Sequence, residues 1–220
     1  SDDYAKVHEN GSLGKTECWY ILDCPEGATL VVGHNAKDKE ECAKMIHEGR
    51  WSEFIREVPI RKGDFVSIVP GTVHAIKAGV MLLETQQNSD ITYRVYDYDR
   101  LSNGRKRELH IEKSIDVINA PASPAQDSIH NFANVRKNKP VLMEKSAYYK
   151  VWKLVVEDGS ELQLSREKDF DSSYLLASVV AGSGYINGTA IKKGDHFIVT
   201  NECDSLSFSG DMEIILSAQI

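Results

Sequence analysis

Two short segments place side chains that can bind a metal next to apolar, strand-like runs. Glu17 stands immediately before the apolar run 18–22, and His74 closes a turn of the form Pro-Gly-x-x-His at 70–74. A buried carboxylate is costly unless a cation compensates its charge, and an imidazole at the inner end of a barrel strand can hold a divalent metal. We therefore take both residues as candidate metal ligands. The alternatives are a simple ion pair between Glu17 and Lys15 and a partly buried, structural His74.

A longer polar segment, residues 83–100 with the sequence LETQQNSDITYRVYDYDR, is unusually rich in polar groups for a β hairpin. Period-two alternation predicts that Arg94 points inward, together with Glu84 from the preceding strand. A guanidinium in that position suits bidentate capture of a phosphate or a carboxylate. The alternative is cross-strand salt bridging, and we interpret the charged residues of 97–100 as a solvated turn.

The elements that must position these residues are mostly strands. Short runs rich in β-branched and aromatic residues recur between Gly, Pro, Asn and Asp, a pattern typical of an all-β sandwich or barrel. Strands are predicted over 18–22, 29–32, 65–69, 80–85, 91–96, 148–156, 162–164, 174–180, 184–187, 197–200 and 212–217. A helix is predicted after Asp38, which can cap a D-x-x-E box ahead of apolar residues at helical spacing. A short helix or strand is expected around 109–117.

The organisation of the chain indicates two small β domains. Residues 101–140 are polar and punctuated by Asn-Gly and Pro, so we place a linker there, between domains 1–100 and 141–220. The domains share a phrase, since 60–69 resembles 191–199 and both contain a Gly-Asp turn that feeds a strand. Only the first copy continues to a histidine, so only the first domain is expected to carry a metal site.

The composition restricts the class of protein. With 220 residues, a 41% hydrophobic share and a net charge of −7 at pH 7, the chain can bury a core and has the wrong sign for nucleic acid or anionic lipid. It has no apolar stretch approaching the ~20 residues of a membrane span, and its start at Ser1 lacks a signal-peptide pattern. We expect a cytoplasmic protein without nucleic-acid or membrane partners, and leave the oligomeric state open.

Three segments carry a resemblance to a known family. GKTECWYILDC, PGTVHAI and above all LETQQNSDITYRVYDYDR resemble mannose-6-phosphate isomerase of the short bacterial type I, a zinc-dependent cupin enzyme. The resemblance extends over essentially the whole chain, through RELHIEKS and KKGDHFIV. It implies an all-β fold of two cupin-like β-barrel or jelly-roll domains with a short helical insertion, the second domain being degenerate.

The resemblance also implies a Zn²⁺ cofactor. The family binds one zinc through the Gln and His of a Gln-Val-His-Pro motif, then a Glu and a second His, and Glu17 and His74 match the last two. The first pair has no match, because in relatives the motif directly precedes the segment that corresponds to residues 1–5. We therefore expect a chain that begins just after the first two ligands, with a first domain that is incomplete at its N-terminus.

The activity that the resemblance implies is the interconversion of mannose 6-phosphate and fructose 6-phosphate through a cis-enediol. Arg94, Lys15 and Glu84 are then the expected catalytic residues, and Asp90, Arg94 and Lys15 the expected substrate-binding residues. Two alternatives stay open: a non-catalytic cupin module that binds a sugar phosphate, and an inactive fragment of the isomerase.

Overall fold

A computed structural model of the chain describes residues 1–157 and 161–220. The chain divides into two compact units, a first unit of residues 1–130 and a second unit of residues 131–220. The division falls inside the segment 101–140, where a linker is predicted. That segment also holds short strands and helices of its own.

The first unit contains strands and several short helices. Its helices are α1 (Asp2–His8), α2 (Lys39–His47), α3 (Trp51–Phe54) and α4 (Ile111–Val117), with a 3₁₀ turn at Ala125–Asp127. Its strands are β1 (Glu17–Asp23), β2 (Thr29–His34), β3 (Ile55–Pro59), β4 (Asp64–Ile68), β5 (His74–Ala75), β6 (Met81–Gln86), β7 (Leu101–Ser102), β8 (Arg105–Lys106) and β9 (Ile129–Asn131), the last of which ends one residue beyond the unit.

Two sheets of the first unit enclose its main core. One has the strand order β6-β1-β4-β9 and the other the order β3-β2-β5, while β7 and β8 form a separate hairpin. Alternation along β1 and β2 turns Trp19, Ile21, Leu30 and Val32 into the buried cluster between them. The N-terminal end of β1, where Glu17 lies, therefore faces the same interior as this apolar cluster.

A helical layer of the first unit forms a second apolar cluster. Asp38 caps α2, because its side chain accepts a hydrogen bond from the Glu41 amide at 2.8 Å, as the D-x-x-E pattern predicts. Cys42 and Ile46 of α2 and Phe54 of α3 are buried in this cluster. The cluster also includes Ile118, which comes directly after α4.

The second unit is built from strands and one short helix. Its elements are β10 (Val141–Lys145), β11 (Tyr149–Val156), β12 (Leu162–Ser165), α5 (Arg166–Phe170), β13 (Leu175–Ile186), β14 (Thr189–Lys192), β15 (His196–Val199) and β16 (Ser205–Gln219). The two longest strands, β13 and β16, pair with each other along most of their length. Each changes its other neighbour halfway: β13 pairs first with β15 and then with β14, and β16 pairs first with β12 and then with β11.

Glycines allow these two paired strands to approach closely at that midpoint. Gly182 and Gly210 have positive φ values of 71° and 109°. A side chain at Gly182 would overlap the carbonyl oxygen of Asp211, and one at Gly210 would meet the Cα of Gly184 at 2.5 Å. Because neither a left-handed backbone nor such an approach suits a larger residue, glycine is required here. The cluster behind the strands includes the buried Trp152, Phe170, Leu175, Leu206 and Phe208.

The prediction of a mostly β chain is confirmed, with corrections. Over the described residues the sheets are open and do not close into barrels. The strand predicted at 91–96 is wrong, since this segment is irregular. Its backbone bonds elsewhere: the Arg94 amide donates to His110 Nδ1 at 3.2 Å, and the His110 amide donates to the Arg94 carbonyl at 2.8 Å. The ambiguous segment 109–117 forms helix α4.

None of the helices within the described residues combines the length and the apolar character that crossing a membrane would require.

Candidate active site

Glu17 is the first residue of β1 and is held on both sides by neighbouring strands. It lies opposite Ile68 of β4 and Gln86 of β6, and it shares a face with Trp19, which is in the core. Only 1% of the residue is exposed. The strand thus carries a carboxylate into the interior, where it needs compensating positive charge or hydrogen-bond donors.

His74 is presented by a tightly held loop. It begins β5 and lies opposite Val32 of β2, after the loop 69–73. Asn119 fixes this loop, because its side chain donates to the Pro70 carbonyl at 2.8 Å and its amide donates to the Gly71 carbonyl at 3.0 Å. Gly71 has a φ of 87° and leaves no space for a side chain. The loop geometry therefore sets where the imidazole lies.

Four of the predicted site residues meet in one cluster. Glu17 Oε1 lies 2.9 Å from His74 Nε2, and Glu17 Oε2 lies 2.7 Å from Lys15 Nζ. Lys15 Nζ is also 3.5 Å from Glu84 Oε1, on the neighbouring strand β6. The ion pair between Lys15 and Glu17, considered as an alternative to metal binding, is therefore present. It exists alongside the contact between Glu17 and His74.

The pKa values of the two carboxylates in the cluster are shifted in opposite directions. Burial raises the pKa of Glu17, but the hydrogen bond and charge of His74, together with Lys15, outweigh burial and bring that pKa to about 2. Burial, together with the adjacent Glu17, raises the pKa of Glu84, and Lys15 opposes this only in part. One carboxylate is thus held ionised while the other is shifted towards its protonated form.

Glu17 and His74 fit a metal in donor type and orientation. The Thr72 carbonyl lies 2.8 Å from His74 Nδ1 and can only accept, so Nδ1 carries a proton. Nε2 then faces the Glu17 carboxylate with a lone pair unless a second proton or a metal cation lies between them. Zinc takes such nitrogen and oxygen donors, and a carbonyl on the far ring nitrogen is the usual way to orient a histidine ligand.

These two residues supply fewer donors than a catalytic zinc site uses, which is three protein ligands in common enzymes. Among the described residues, no group of three or more His, Cys, Asp or Glu side chains is placed to hold a metal ion. The structure therefore offers two of the expected ligands.

The cluster lies in the wall of a cavity of about 480 Å³ in the first unit. Lys15, Glu17, His74, Glu84 and Arg94 all line it. The backbone of Arg94 is fixed by His110, and its guanidinium donates to the Glu108 carbonyl at 3.3 Å. The volume is in the range of small-molecule binding sites.

Asp90 is the predicted site residue that the structure does not bring to this cavity. It is exposed, on the irregular segment after β6, and it is not among the described residues that line the cavity wall. Its predicted role in substrate binding has no support from its position.

The interpretation of 97–100 as a solvated turn missed a buried charge. Asp97 is 5% exposed and lines the cavity with Arg100 and Arg107. Arg100 donates to the Asp97 carboxylate at 2.7 Å, and Arg107 binds both carboxylate oxygens, with its Nε 2.8 Å from Oδ2. These bonds bring the pKa of Asp97 to about 2. The one signal in the sequence was the recurrence of Arg three and ten residues after this aspartate.

Comparison with known proteins assigns the chain to a family. A family model described as mannose-6-phosphate isomerase, cupin domain, matches residues 142–219. The mannose-6-phosphate isomerase ManA of Bacillus subtilis is 43% identical over an alignment of 222 positions, which covers 99% of this chain and 68% of that protein. The mannose-6-phosphate isomerase of Streptococcus mutans serotype c is 44% identical over 97% of this chain and 66% of its own length.

Solved structures agree with this assignment. The mannose 6-phosphate isomerase from Bacillus subtilis matches with a TM-score of 0.81 and 36% identity, over 99% of this chain and 68% of that one. A putative mannosephosphate isomerase from Archaeoglobus fulgidus shares the fold, with a TM-score of 0.75 at 15% identity, over 100% of this chain and 65% of that one. The chain belongs to the mannose-6-phosphate isomerase family of enzymes and spans about two thirds of the length of these relatives.

Proposed function

We propose that the chain interconverts mannose 6-phosphate and fructose 6-phosphate, and that the cavity of the first unit binds the sugar phosphate. The observation that carries this proposal is the cluster of Lys15, Glu17, His74 and Glu84 in the wall of a cavity that also contains Arg94. An aldose–ketose isomerase needs groups that move a proton, groups that polarise the carbonyl oxygen and groups that hold the phosphate. The cavity contains side chains for each task.

The proton moves between C1 and C2 of the sugar through a cis-enediol. One proton leaves C2 of the aldose and one is delivered to C1, while the hydroxyl proton moves in the same sense, from the oxygen on C2 to the oxygen on C1, so no oxidant or reductant is needed. We assign this proton handling to Lys15 and Glu84, whose Nζ and Oε1 atoms are 3.5 Å apart at the cavity wall. Glu17 contacts both Lys15 and His74, and it holds the ammonium group of Lys15 and the imidazole of His74 in place.

Positive charge in the same cavity suits the phosphate and the enediolate. Arg94, Arg100 and Arg107 line the cavity, and each guanidinium can give two parallel hydrogen bonds to an anion. Arg94 has no acidic partner among the ion pairs of the described residues, whereas Arg100 and Arg107 share Asp97. Arg94 is therefore the arginine that is least committed to the protein, and we assign it to the negative charge that develops on the substrate.

Zinc is the cofactor that we propose, with Glu17 and His74 among its ligands. Bound there, it would supply a Lewis acid that polarises a sugar oxygen. Glu17 and His74 are already oriented towards each other by Lys15 and by the Thr72 carbonyl, so binding requires little rearrangement of either side chain.

Formation of fructose 6-phosphate from mannose 6-phosphate, measured with added zinc and with a chelator, tests the function. Turnover that the chelator abolishes and zinc restores is the expected result. Arg94→Ala should lower kcat/KM about 100- to 1,000-fold, the usual effect of removing one stabilising donor. Arg105→Ala, at the exposed first residue of β8, is the matched control and should keep the parental rate. Equal rates for the two variants would refute the role of Arg94.

The same assay on a longer protein separates the two alternatives to this function, an inactive fragment of the isomerase and a non-catalytic binding module. Residues 1–220 are compared with the same chain preceded by the Gln-Val-His-Pro stretch of a relative. Activity in the longer protein alone would show that the Gln and His of that stretch are needed for turnover. The presence of only two metal donors among the described residues favours a second candidate, a binding module. Stoichiometric, metal-independent binding of mannose 6-phosphate without turnover in either protein would support it.

A further inference from the structure

A turn in the cavity wall has a backbone conformation that its residues do not favour. The Arg100 amide donates to the Asp97 carbonyl at 3.0 Å, and the two residues between them, Tyr98 and Asp99, have φ values of 52° and 54°. Two positive φ values in succession are typical of a type I′ turn, in which Asn-Gly is the preferred pair. Tyr98 is therefore an unfavourable residue for its position.

Comparison with the other residues of positive φ shows how unusual a tyrosine is in this conformation. Seven non-glycine residues within the described part of the chain have positive φ, and all but Tyr98 are Asn or Asp, the residues that tolerate this conformation. The next turn makes the comparison direct. It joins β7 to β8 through Asn103 and Gly104, the preferred pair, with φ values of 53° and 75°. The two neighbouring turns thus share positive φ values at both central positions, but only the second has residues that favour this backbone conformation.

Packing does not explain the presence of Tyr98. Its ring is part of a row of aromatic side chains, with Tyr96 at 4.4 Å between centroids and Trp51 stacked on Tyr96 at 4.5 Å and 11°. The residue nevertheless remains 48% exposed and lines the cavity. A strained backbone that holds a large, half-exposed ring in a cavity points to a ligand rather than to stability.

The surroundings of the ring indicate which part of a ligand it meets. The guanidinium carbon of Arg100 lies 5.8 Å from the centre of the Tyr98 ring, and Arg107 binds the same Asp97 carboxylate as Arg100. An anion held by these arginines would lie beside the ring. The carbon skeleton attached to that anion would then reach the aromatic surface, which suits the C–H face of a sugar.

We propose that Tyr98 is a specificity residue that packs against the sugar portion of the bound hexose phosphate, with the phosphate beside Arg100 and Arg107. This inference rests on the function proposed above and adds to it a contact that recognises the sugar rather than its charge. Tyr98 does not take part in proton transfer, so it acts on the affinity and the choice of ligand and not on the chemical step.

Binding measured by calorimetry, with mannose 6-phosphate and with inorganic phosphate as ligands, tests the proposal. Tyr98→Asn should weaken mannose 6-phosphate binding about 2- to 10-fold, which is the range of one aromatic contact, and should leave phosphate binding unchanged. The Tm of this variant should not fall, because Asn tolerates the left-handed backbone. Tyr98→Phe, which keeps the ring, should recover most of the lost affinity.

Asp99→Asn is the matched control, since it changes the other central residue of the same turn and leaves the ring in place. It should bind both ligands as the parent chain does. Equal mannose 6-phosphate affinity of Tyr98→Asn and the parent, or an equal loss of affinity for both ligands, would overturn the role of Tyr98 and leave the proposed function standing. A parent chain that binds no mannose 6-phosphate, with zinc supplied, would overturn the proposed function itself and the contact with it.

Discussion

Residues 61–64 and 192–195 build the same turn in the two units. In each, the aspartate that ends the turn donates its amide to the carbonyl three residues earlier, at 3.1 Å for Asp64 and 3.0 Å for Asp195. The Oδ2 atom of each aspartate accepts the amide of that same earlier residue at 2.8 Å. The similarity of the two sequence phrases therefore reflects a shared local structure.

The glycines before these two aspartates also have matching conformations. The two segments differ only after the strand that follows each turn. Gly63 and Gly194 have φ values of 87° and 94°, and each donates its amide to a strand carbonyl at 2.9 Å. After β4 the chain runs through the loop 69–73 to His74, whereas after β15 it makes a turn without a histidine. The turn and its strand are thus scaffold, and in the proposed function the chemistry depends on the segment that the strand leads into.

The strongest test of this comparison removes the histidine that only the first copy leads to. His74→Ala should lower kcat/KM by about 100-fold or more, because the Glu17 carboxylate loses its partner and the proposed zinc loses a ligand. His196→Ala, which changes the histidine directly after the second turn, should leave the rate unchanged. Isomerase kinetics of both variants at saturating zinc make the measurement. Similar losses in the two would mean that the second unit also serves the reaction.

The loop after the first turn should be less tolerant than the turn itself. Gly71→Ala should lower the free energy of unfolding by about 2–4 kcal/mol, since φ is 87° and the new side chain would overlap the Val117 carbonyl. Gly194→Ala has a similarly positive φ but open space, so about 1–2 kcal/mol is expected. Urea denaturation of each variant measures the difference. If the two costs are equal, crowding at Gly71 plays no part.

The turns themselves should differ mainly through burial. Asp64→Ala should cost about 1–3 kcal/mol, because Asp64 is 6% exposed and the amide left behind has little access to water. Asp195→Ala should cost about 0.5–1.5 kcal/mol, since Asp195 is more exposed and water can replace its oxygen. Denaturant titrations rank the two. The reverse order would contradict the idea that one turn serves both units in the same way.

The smallest expected effect is a dependence of stability on pH that belongs to the first unit. Burial lowers the pKa of His34, whose Nε2–H donates to the Asn119 carbonyl at 2.9 Å while Nδ1 accepts the Ala36 amide at 3.2 Å. The folded chain therefore takes up this proton less readily than the unfolded chain, so stability is full above pH ~6.5 and falls on acidification.

Unfolding measured between pH 7 and pH 5 tests this expectation. The slope from one such group is at most ~1.4 kcal/mol per pH unit. His34→Gln should flatten the slope, whereas His196→Gln, in the second unit, should keep it. An unchanged slope in His34→Gln would exclude this histidine as the source.

Much of the candidate site could be predicted from the sequence because it lies on strands with clear periodicity. Glu17 stands at the start of an apolar run, so its position predicts that its carboxylate is buried. His74 follows a Pro-Gly turn, in which a residue larger than glycine would not fit at position 71. The antiparallel pairing of β1 and β6 places Glu84 opposite Trp19, and the Lys15 side chain reaches Glu84 from just before β1. Each of these inferences needed only local pattern and one strand pairing.

The irregular segment after β6 could not be predicted in the same way. Alternation at 91–96 resembles that of a strand, but contacts with distant residues decide its conformation, such as Tyr93 to Glu9 at 2.7 Å and Arg94 to His110. The charge network of Asp97 depends on a tight turn whose residues do not signal it. The open form of the sheets also depends on long-range pairing, which periodicity does not report.

In the second unit, β13 and β16 each pair with two further strands, one set at each end. This arrangement affects how the unit unfolds. Because β13 and β16 each contribute backbone hydrogen bonds to two sets of neighbours, neither half can open while the other keeps its full ladder. We therefore expect the unit to unfold as a single cooperative block. Its amide protons, from β10 at one edge to β14 at the other, should exchange with solvent through one shared opening rather than by separate fraying.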